Sequence, residues 1–143
     1  MNVLNIANEL AEALSTVLPF GGEPGDALRV YVGAPQSISD PCAVVVLPET
    51  ISFSNTYNRG MDSMVWPVLV LSSKADARTA LERISAYADG SGESSIKAAL
   101  EGYSDYTAFD TIFVSSCALD LVTWNGVDYQ GALFELQISG SGS

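Results

Sequence analysis

The sequence contains no histidine, only two cysteines, and six basic residues against seventeen acidic ones. Without histidine the chain cannot form a Ser-His-Asp or Cys-His catalytic arrangement, an imidazole general base or an H-E-x-x-H zinc site. It also has no G-x-x-x-x-G-K-[ST] or G-x-G-x-x-G motif after a strand-like run, so nucleotide binding by such loops has no support. These absences remove most of the common catalytic classes.

The net charge of −11 is distributed unevenly along the 143 residues. Residues 1–28 carry four acids and no base, and residues 98–143 carry six acids and no base. Residues 29–97 hold all six bases together with seven acids. Proteins that grip DNA neutralise its phosphates with a basic surface, so these acidic ends argue against charge-driven DNA binding.

The two cysteines and the apolar runs indicate a protein without disulfides or membrane spans. Cys42 and Cys117 each lie in an apolar, strand-like run and lack C-x-x-C spacing. We expect both to be buried free thiols, because 48% hydrophobic residues supply a core without a disulfide. No apolar run approaches the roughly 18–20 residues of a membrane span, and no basic segment typical of a signal peptide opens the chain.

Hydrophobic periodicity predicts a helix followed by strands in the first half of the chain. Apolar residues at helical spacing predict an amphipathic helix over residues 3–18, ended by Pro19. Apolar or alternating runs predict four strands, over residues 28–32, 42–47, 51–57 and 64–72. The last two form a hairpin with its tip at Asn58-Arg59-Gly60. Its second strand is apolar on both faces and should lie in the middle of the sheet.

The second half predicts two helices and a long hairpin. Ser73 to Asp76 fits the S-x-x-D capping pattern of a helix that continues to about residue 88. The expected buried stripe of this helix is Ala77, Ala80, Leu81, Ile84 and Ala88. Ser94 or Ser95 caps a short helix over 95–101. Asn125-Gly126 is the preferred pair of a type I′ turn, and it joins β-forming runs over 110–124 and 127–138.

This order of elements predicts one α+β domain over residues 1–139. An antiparallel or mixed β-sheet carries the N-terminal helix and the central helix pair. Residues 140–143 are rich in glycine and serine and are expected to form a flexible tail.

Carboxylates are the abundant reactive groups in this chain. Seventeen acids make some pair at glycosidase spacing inevitable, so a small carboxylate-dependent hydrolase is an alternative that no specific motif supports. Solvated acidic surfaces explain the same residues more simply. Asp105 and Asp110 could be paired at a divalent-metal site, but the calcium-loop pattern that would support one is absent. We therefore predict no catalytic residue, no metal and no cofactor. For Trp124 and Tyr129, core packing is favoured over an exposed interface pair.

Three segments of the chain resemble tail terminator proteins of the long-tailed phages of actinobacteria. They are the junction W-P, strand, S-x-A-D from Trp66 to Asp76, the linker and helix GSGESSIKAALE at 90–101, and the closing NGVDYQGALFE at 125–135. The resemblance extends from the opening helix to the last strand, and it consists of sequence habits rather than a catalytic signature.

The resemblance implies a structural virion protein that is made in the host cytoplasm and located at the head–tail junction. Copies of the chain would form a ring, a hexamer, that caps the tail tube protein and joins it to the head–tail connector protein. DNA would pass through the central channel, and no membrane is involved. By this resemblance the expected contact residues are Asn55, Tyr57, Asn58, Arg59, Trp124, Asn125 and Tyr129. Arg59 and Arg78 are the basic residues expected between subunits.

An acidic channel wall would repel DNA and keep it moving, whereas each Lys or Arg on the wall would slow its passage. We expect four acids of the last segment to face this channel: Asp105, Asp110, Asp120 and Asp128. The alternatives are another neck subunit, a tail-tube subunit, the hydrolase named above and a monomeric adaptor. A tube subunit would polymerise into open-ended cylinders, whereas a terminator should stop at a closed ring.

Overall fold

The chain folds into one mixed β-sheet with three helices, which confirms the predicted α+β class. The computed structural model describes residues 3–17, 28–33, 41–45, 47–48, 50–52, 61–74, 79–90, 92, 94–104, 106–124 and 126–141. Its elements are α1 (Val3–Leu14), β1 (Arg29–Val32), β2 (Cys42–Val45), β3 (Thr50–Ser52), β4 (Met61–Lys74), α2 (Thr79–Ala88), α3 (Ile96–Gly102), β5 (Thr111–Trp124) and β6 (Val127–Ser141).

The described sheet has the strand order β1-β2-β4-β6-β5, and β3 pairs with β4 beside β2. The β1–β2 pair is parallel, and all other described pairs are antiparallel. The strand β4 lies between β2 and β6, so the predicted central position of this strand is confirmed. The hairpin of β5 and β6 forms one end of the sheet.

The two faces of the sheet differ in what covers them. On the helix-bearing face, alternate residues of β4 and β6 pack against buried residues of all three helices, with Trp66 and Phe134 among the largest fully buried side chains. Since side chains alternate along a strand, the intervening residues point to the opposite face. We call this second side the open face; a smaller cluster around Cys42, Leu71 and Tyr129 is buried there.

The first helix is shorter than predicted. It ends at Leu14 rather than at residue 18. The hydroxyls of Ser15 and Thr16 donate to the carbonyls of Glu12 and Ala13, which satisfies carbonyls that a further helical turn would have used.

The predicted start and buried stripe of the second helix need correction. Ser73 and Lys74 belong to β4, where they pair with Gln130 and Tyr129 after a bulge, so Ser73 is not a helix cap. Leu81 is 63% exposed, because the buried side of α2 runs through Arg83, Ile84 and Tyr87 instead. The Arg83 guanidinium donates to the Ser72 carbonyl at 3.1 Å, which ties α2 to the bulge.

Several local predictions are confirmed. The Ser95 hydroxyl caps α3 by accepting from the Ala98 N–H at 3.1 Å. Gly126 has φ of +77°, the positive value that the predicted turn needs at this position, and its other central residue, Asn125, lies outside the described residues. Both cysteines are free thiols, as predicted, and Cys42 is buried.

Two further predictions need correction. Cys117 is only partly buried rather than buried. The strand β6 continues through Gly140 and Ser141, which pair with Asp62 and Met61, so these two residues are not part of a tail.

Candidate functional site

The predicted interface and channel residues divide into two groups. Seven of them lie outside the described residues: Asn55, Tyr57, Asn58, Arg59, Arg78, Asp105 and Asn125. The other five, Asp110, Asp120, Trp124, Asp128 and Tyr129, lie on the β5–β6 hairpin or directly before it. The described candidates therefore all belong to one region of the molecule, the hairpin and the residue before it.

Trp124 and Tyr129 do not form an exposed pair. Tyr129 is only 6% exposed and packs with Cys42 and Leu71 on the open face. Trp124 is partly buried against the same cluster, and Val122 rather than Trp124 lies directly opposite Tyr129. The interpretation of Tyr129 as a core residue is confirmed.

Beside this cluster, the open face has a shallow apolar groove. The groove has a volume of about 240 Å³ and is lined by Leu69, Ala118, Asp120, Leu121, Val122, Gly131 and Leu133. Gly131 makes its floor possible, since a Cβ there would lie 2.7 Å from Val122 Cγ2 and 3.1 Å from Leu71 Cδ2. Glycine thus lets the side chains of two neighbouring strands close over the backbone of β6.

The strand β5 forms an edge of the described sheet, with β6 as its strand neighbour. Large apolar side chains along this strand are exposed: Phe113, Leu119 and Leu121 are each more than half accessible. Asp120 is the single charged residue between Thr111 and Trp124. Edge strands are usually protected by lysine, proline or inward-pointing charges, and β5 contains neither lysine nor proline.

Two carboxylates contact the backbone of this edge strand. Glu101 at the end of α3 accepts from the Val114 N–H at 2.8 Å and from Lys97 Nζ at 2.6 Å. Partial burial opposes ionisation of Glu101, but these hydrogen bonds and the lysine charge outweigh it and lower its pKa. Asp120 accepts from the N–H of the next residue, Leu121, at 2.8 Å.

A third carboxylate holds the segment that leads into β5. Glu9 on α1 accepts from the Thr107 N–H at 2.8 Å, from the Thr107 hydroxyl at 2.7 Å and from the Ala108 N–H at 3.2 Å. Burial alone would raise the pKa of Glu9, and these three hydrogen bonds reverse that effect and lower it. Next to them, Tyr106 packs between Tyr103 and Phe109. The hairpin is thereby anchored to the helices at its base.

The three described acids of the proposed channel wall do not form one cluster. Asp110 precedes β5 at the base of the hairpin, and Asp128 lies next to the turn at its other end. About thirteen residues of strand separate these two levels, which corresponds to roughly 40 Å. Asp120 lies opposite Gly131 and points to the open face, whereas Asp128 lies opposite Thr123 and points to the other face. A common channel surface would need the neighbouring copies of a ring to bring such residues together.

Comparison with known proteins does not assign the chain to a family. No protein-family model matches the chain, and no curated protein is significantly similar to it in sequence. Within the described part of the chain, no three cysteine, aspartate or glutamate side chains are grouped so that they could hold a metal ion. No helix among those residues is long and apolar enough to cross a membrane.

Sequence reasoning missed the residues that organise the hairpin. Glu9 and Glu101 are ordinary helix-surface acids in the sequence, and only the fold brings them to their backbone N–H partners. The partner of Glu9 lies 98 residues further along the chain, and the partner of Glu101 lies 13 residues further along. Gly131 did carry a signal, because a glycine inside an apolar alternating strand indicates a close approach of neighbouring groups.

Proposed function

We propose that this chain is a tail terminator, a structural subunit whose copies form a closed ring on the end of a phage tail tube. The ring would join the tube to the head–tail connector and let DNA pass through its channel. The proposal starts from the resemblance of the 66–76, 90–101 and 125–135 segments to that family, and the fold and surface of the hairpin support it. It assigns no catalytic role to the chain.

The observation that supports an assembling subunit best is the β5–β6 hairpin. Its strands are 14 and 15 residues long, well above the usual five or six. Its outer strand exposes large apolar side chains and carries one charge, in a chain with a net charge of −11. On a monomeric protein such an exposed apolar edge promotes aggregation, whereas a subunit of an assembly can bury it against a neighbour.

The charge of the chain suits a channel for DNA. The three described acids that are expected to face the channel, Asp110, Asp120 and Asp128, are all exposed, and residues 98–143 contain no base. A ring of such chains would repel the phosphate backbone, since it offers few cations to replace the counterions of DNA. DNA would therefore be a passing polymer rather than a bound partner.

The experiment that tests this proposal is the arrest of tube growth. Preformed tail tubes of the cognate phage are incubated with the chain, and fluorescently labelled tube protein is then added. We expect the chain to block further growth from one end of each tube, and the control without the chain to elongate. Unchanged elongation would contradict the proposal. Incorporation of the chain along the tube walls would instead identify it as a tube subunit.

A further inference from the structure

We propose that the outer edge of β5, centred on residues 116–121, is where a second copy of this chain adds a strand to the sheet. The inference deepens the proposed function and rests on it in one respect, the closed ring that such contacts would build. The direction of the backbone groups, the exposure of both faces and the charge of the strand support it.

The backbone of β5 has donors that face away from the sheet. The N–H groups of Val114 and Leu121 bond to the carboxylates of Glu101 and Asp120. Neither acceptor belongs to β6, which indicates that these N–H groups are directed to the outer edge of the sheet. Because successive residues of a strand direct their backbone groups to opposite edges, Cys117 and Leu119 share the outward direction of Leu121. Glu101 and the bulge between Val114 and Ser116 end this open stretch on one side.

The exposed side chains of this stretch lie on both faces of the sheet. Leu119 pairs with Ala132 on the helix-bearing face and is nevertheless 58% exposed. Leu133 lies on the open face next to Ala118 and is 46% exposed. A docked helix would cover one of these faces only. An added strand brings side chains to both faces and also pairs the outward backbone groups.

The near absence of charge along β5 indicates which partner supplies the added strand. Residues 111–119 contain no acidic or basic side chain, and Asp120 is the one charge of β5. Two copies with a net charge of −11 repel each other, so they can approach closely only where acids are sparse. A basic partner would be drawn instead to the acidic surfaces elsewhere. The uncharged edge therefore fits a second copy of the chain.

The test uses two variants of the edge and one matched control. Leu119→Lys places a charge on the edge, and Leu119→Pro removes an outward donor without removing a hydrogen bond to β6. Leu81→Lys makes the same change at a similarly exposed leucine, which lies on the exposed side of α2 and not on β5. Circular dichroism and urea unfolding first establish that each variant is folded.

Sedimentation velocity then measures self-association in 0.5 M NaCl, which screens the repulsion between copies. We expect the unmodified chain and Leu81→Lys to form species heavier than the 15.1 kDa monomer. Both edge variants should associate at least about tenfold more weakly, the equivalent of roughly 1.4 kcal/mol. An unmodified chain that stays monomeric at all concentrations, or association that the edge variants leave unchanged, would overturn the inference.

The same proteins separate this inference from the proposed function. If the chain associates through β5 but never binds tube ends, the strand contact between copies is supported and the terminator role is contradicted. Binding of single chains to tube ends, with no contact between copies, would keep a tail role and overturn the strand contact.

Discussion

Gly131 shows how a single residue shapes the open face. It lies in β6, which is the central one of the three longest strands, directly opposite Leu71 of β4 on one side and Asp120 of β5 on the other. The side chains of Val122 and Leu71 occupy the space that a Cβ would take. The residue type at this position thus decides whether the groove has a packed floor.

We expect Gly131→Ala to lower the free energy of unfolding by about 1–3 kcal/mol, because the added methyl group overpacks the contact with Val122 and Leu71. Urea unfolding of the variant and the unmodified chain measures the difference. Gly90→Ala is the matched control, since a Cβ at Gly90 meets no atom within 4 Å and should change stability by less than about 0.5 kcal/mol. Equal unfolding midpoints for both variants would contradict this expectation, because the strands would then accommodate the added methyl group with no loss of stability.

At the residue scale, predictions from the sequence succeeded where local chemistry decides the outcome. Ser95 caps α3 because the serine hydroxyl needs only the N–H three residues later. Leu81 was predicted to be buried and is exposed, since the direction in which a helix presents its apolar side depends on where the sheet lies. Ile84 fits either orientation of α2, and the burial of Arg83 and Tyr87 decides between them.

The elements are held together by contacts between side chains and backbone that are distant in sequence. Glu9 of α1 accepts two backbone N–H groups and one hydroxyl from residues 107–108, directly before β5. Glu12 on the same helix accepts from the Tyr103 hydroxyl at 3.1 Å. One helix thus positions the segment from which the long hairpin begins.

We expect Glu9→Gln to destabilise the protein at pH 7 by about 1 kcal/mol, a hydrogen-bond value reduced for solvent screening. The pKa of Glu9 is lowered in the folded chain, so its ionised form stabilises the fold above the ordinary glutamate value of 4.5. This contribution is lost as the pH falls through the lowered pKa. The difference between variant and unmodified chain should therefore shrink from pH 7 to pH 3.

Chemical denaturation at both pH values measures this difference. Glu82→Gln is the control at pH 7, because Glu82 is an exposed helix residue and should contribute less than about 0.5 kcal/mol. A Glu9→Gln variant whose deficit stays constant down to pH 3 would contradict the assigned role of the carboxylate.

At the element scale, the β5–β6 hairpin was predicted to within a few residues because its signals are local. Alternation of apolar residues and the Asn125-Gly126 pair specify two strands and the turn between them. The extension of β6 through Gly140 and Ser141 could not be predicted in this way. Those residues have weak strand preference, and they are extended because Asp62 and Met61 of β4 pair with them.

For the whole molecule, the sequence predicted the class of the fold and the central place of β4 but not the inequality of the two faces. The continuously apolar run of β4 required cover on both sides. In the described structure the helices supply it on one side, and the other side keeps an apolar groove beside an exposed edge. Which surface is left open depends on the path of the helices, and periodicity does not specify that path.

The charge distribution gains a structural meaning at this scale. Asp110 and Asp128 lie at opposite ends of the hairpin, and Asp120 and Asp128 point to opposite faces, while nearly all of β5 is uncharged. Repulsion between copies and an uncharged edge together favour contact at one place only. Under the proposed function, this combination would let copies of the chain assemble in one geometry without binding DNA.

The most direct test of a terminator role is electron microscopy of cognate tail tubes mixed with the chain, with rotational averaging of the tube ends. We expect one closed ring of six copies at one end of each tube, with an open channel along the tube axis. Bare tube ends, or repeated stacked rings that continue the tube, would contradict it.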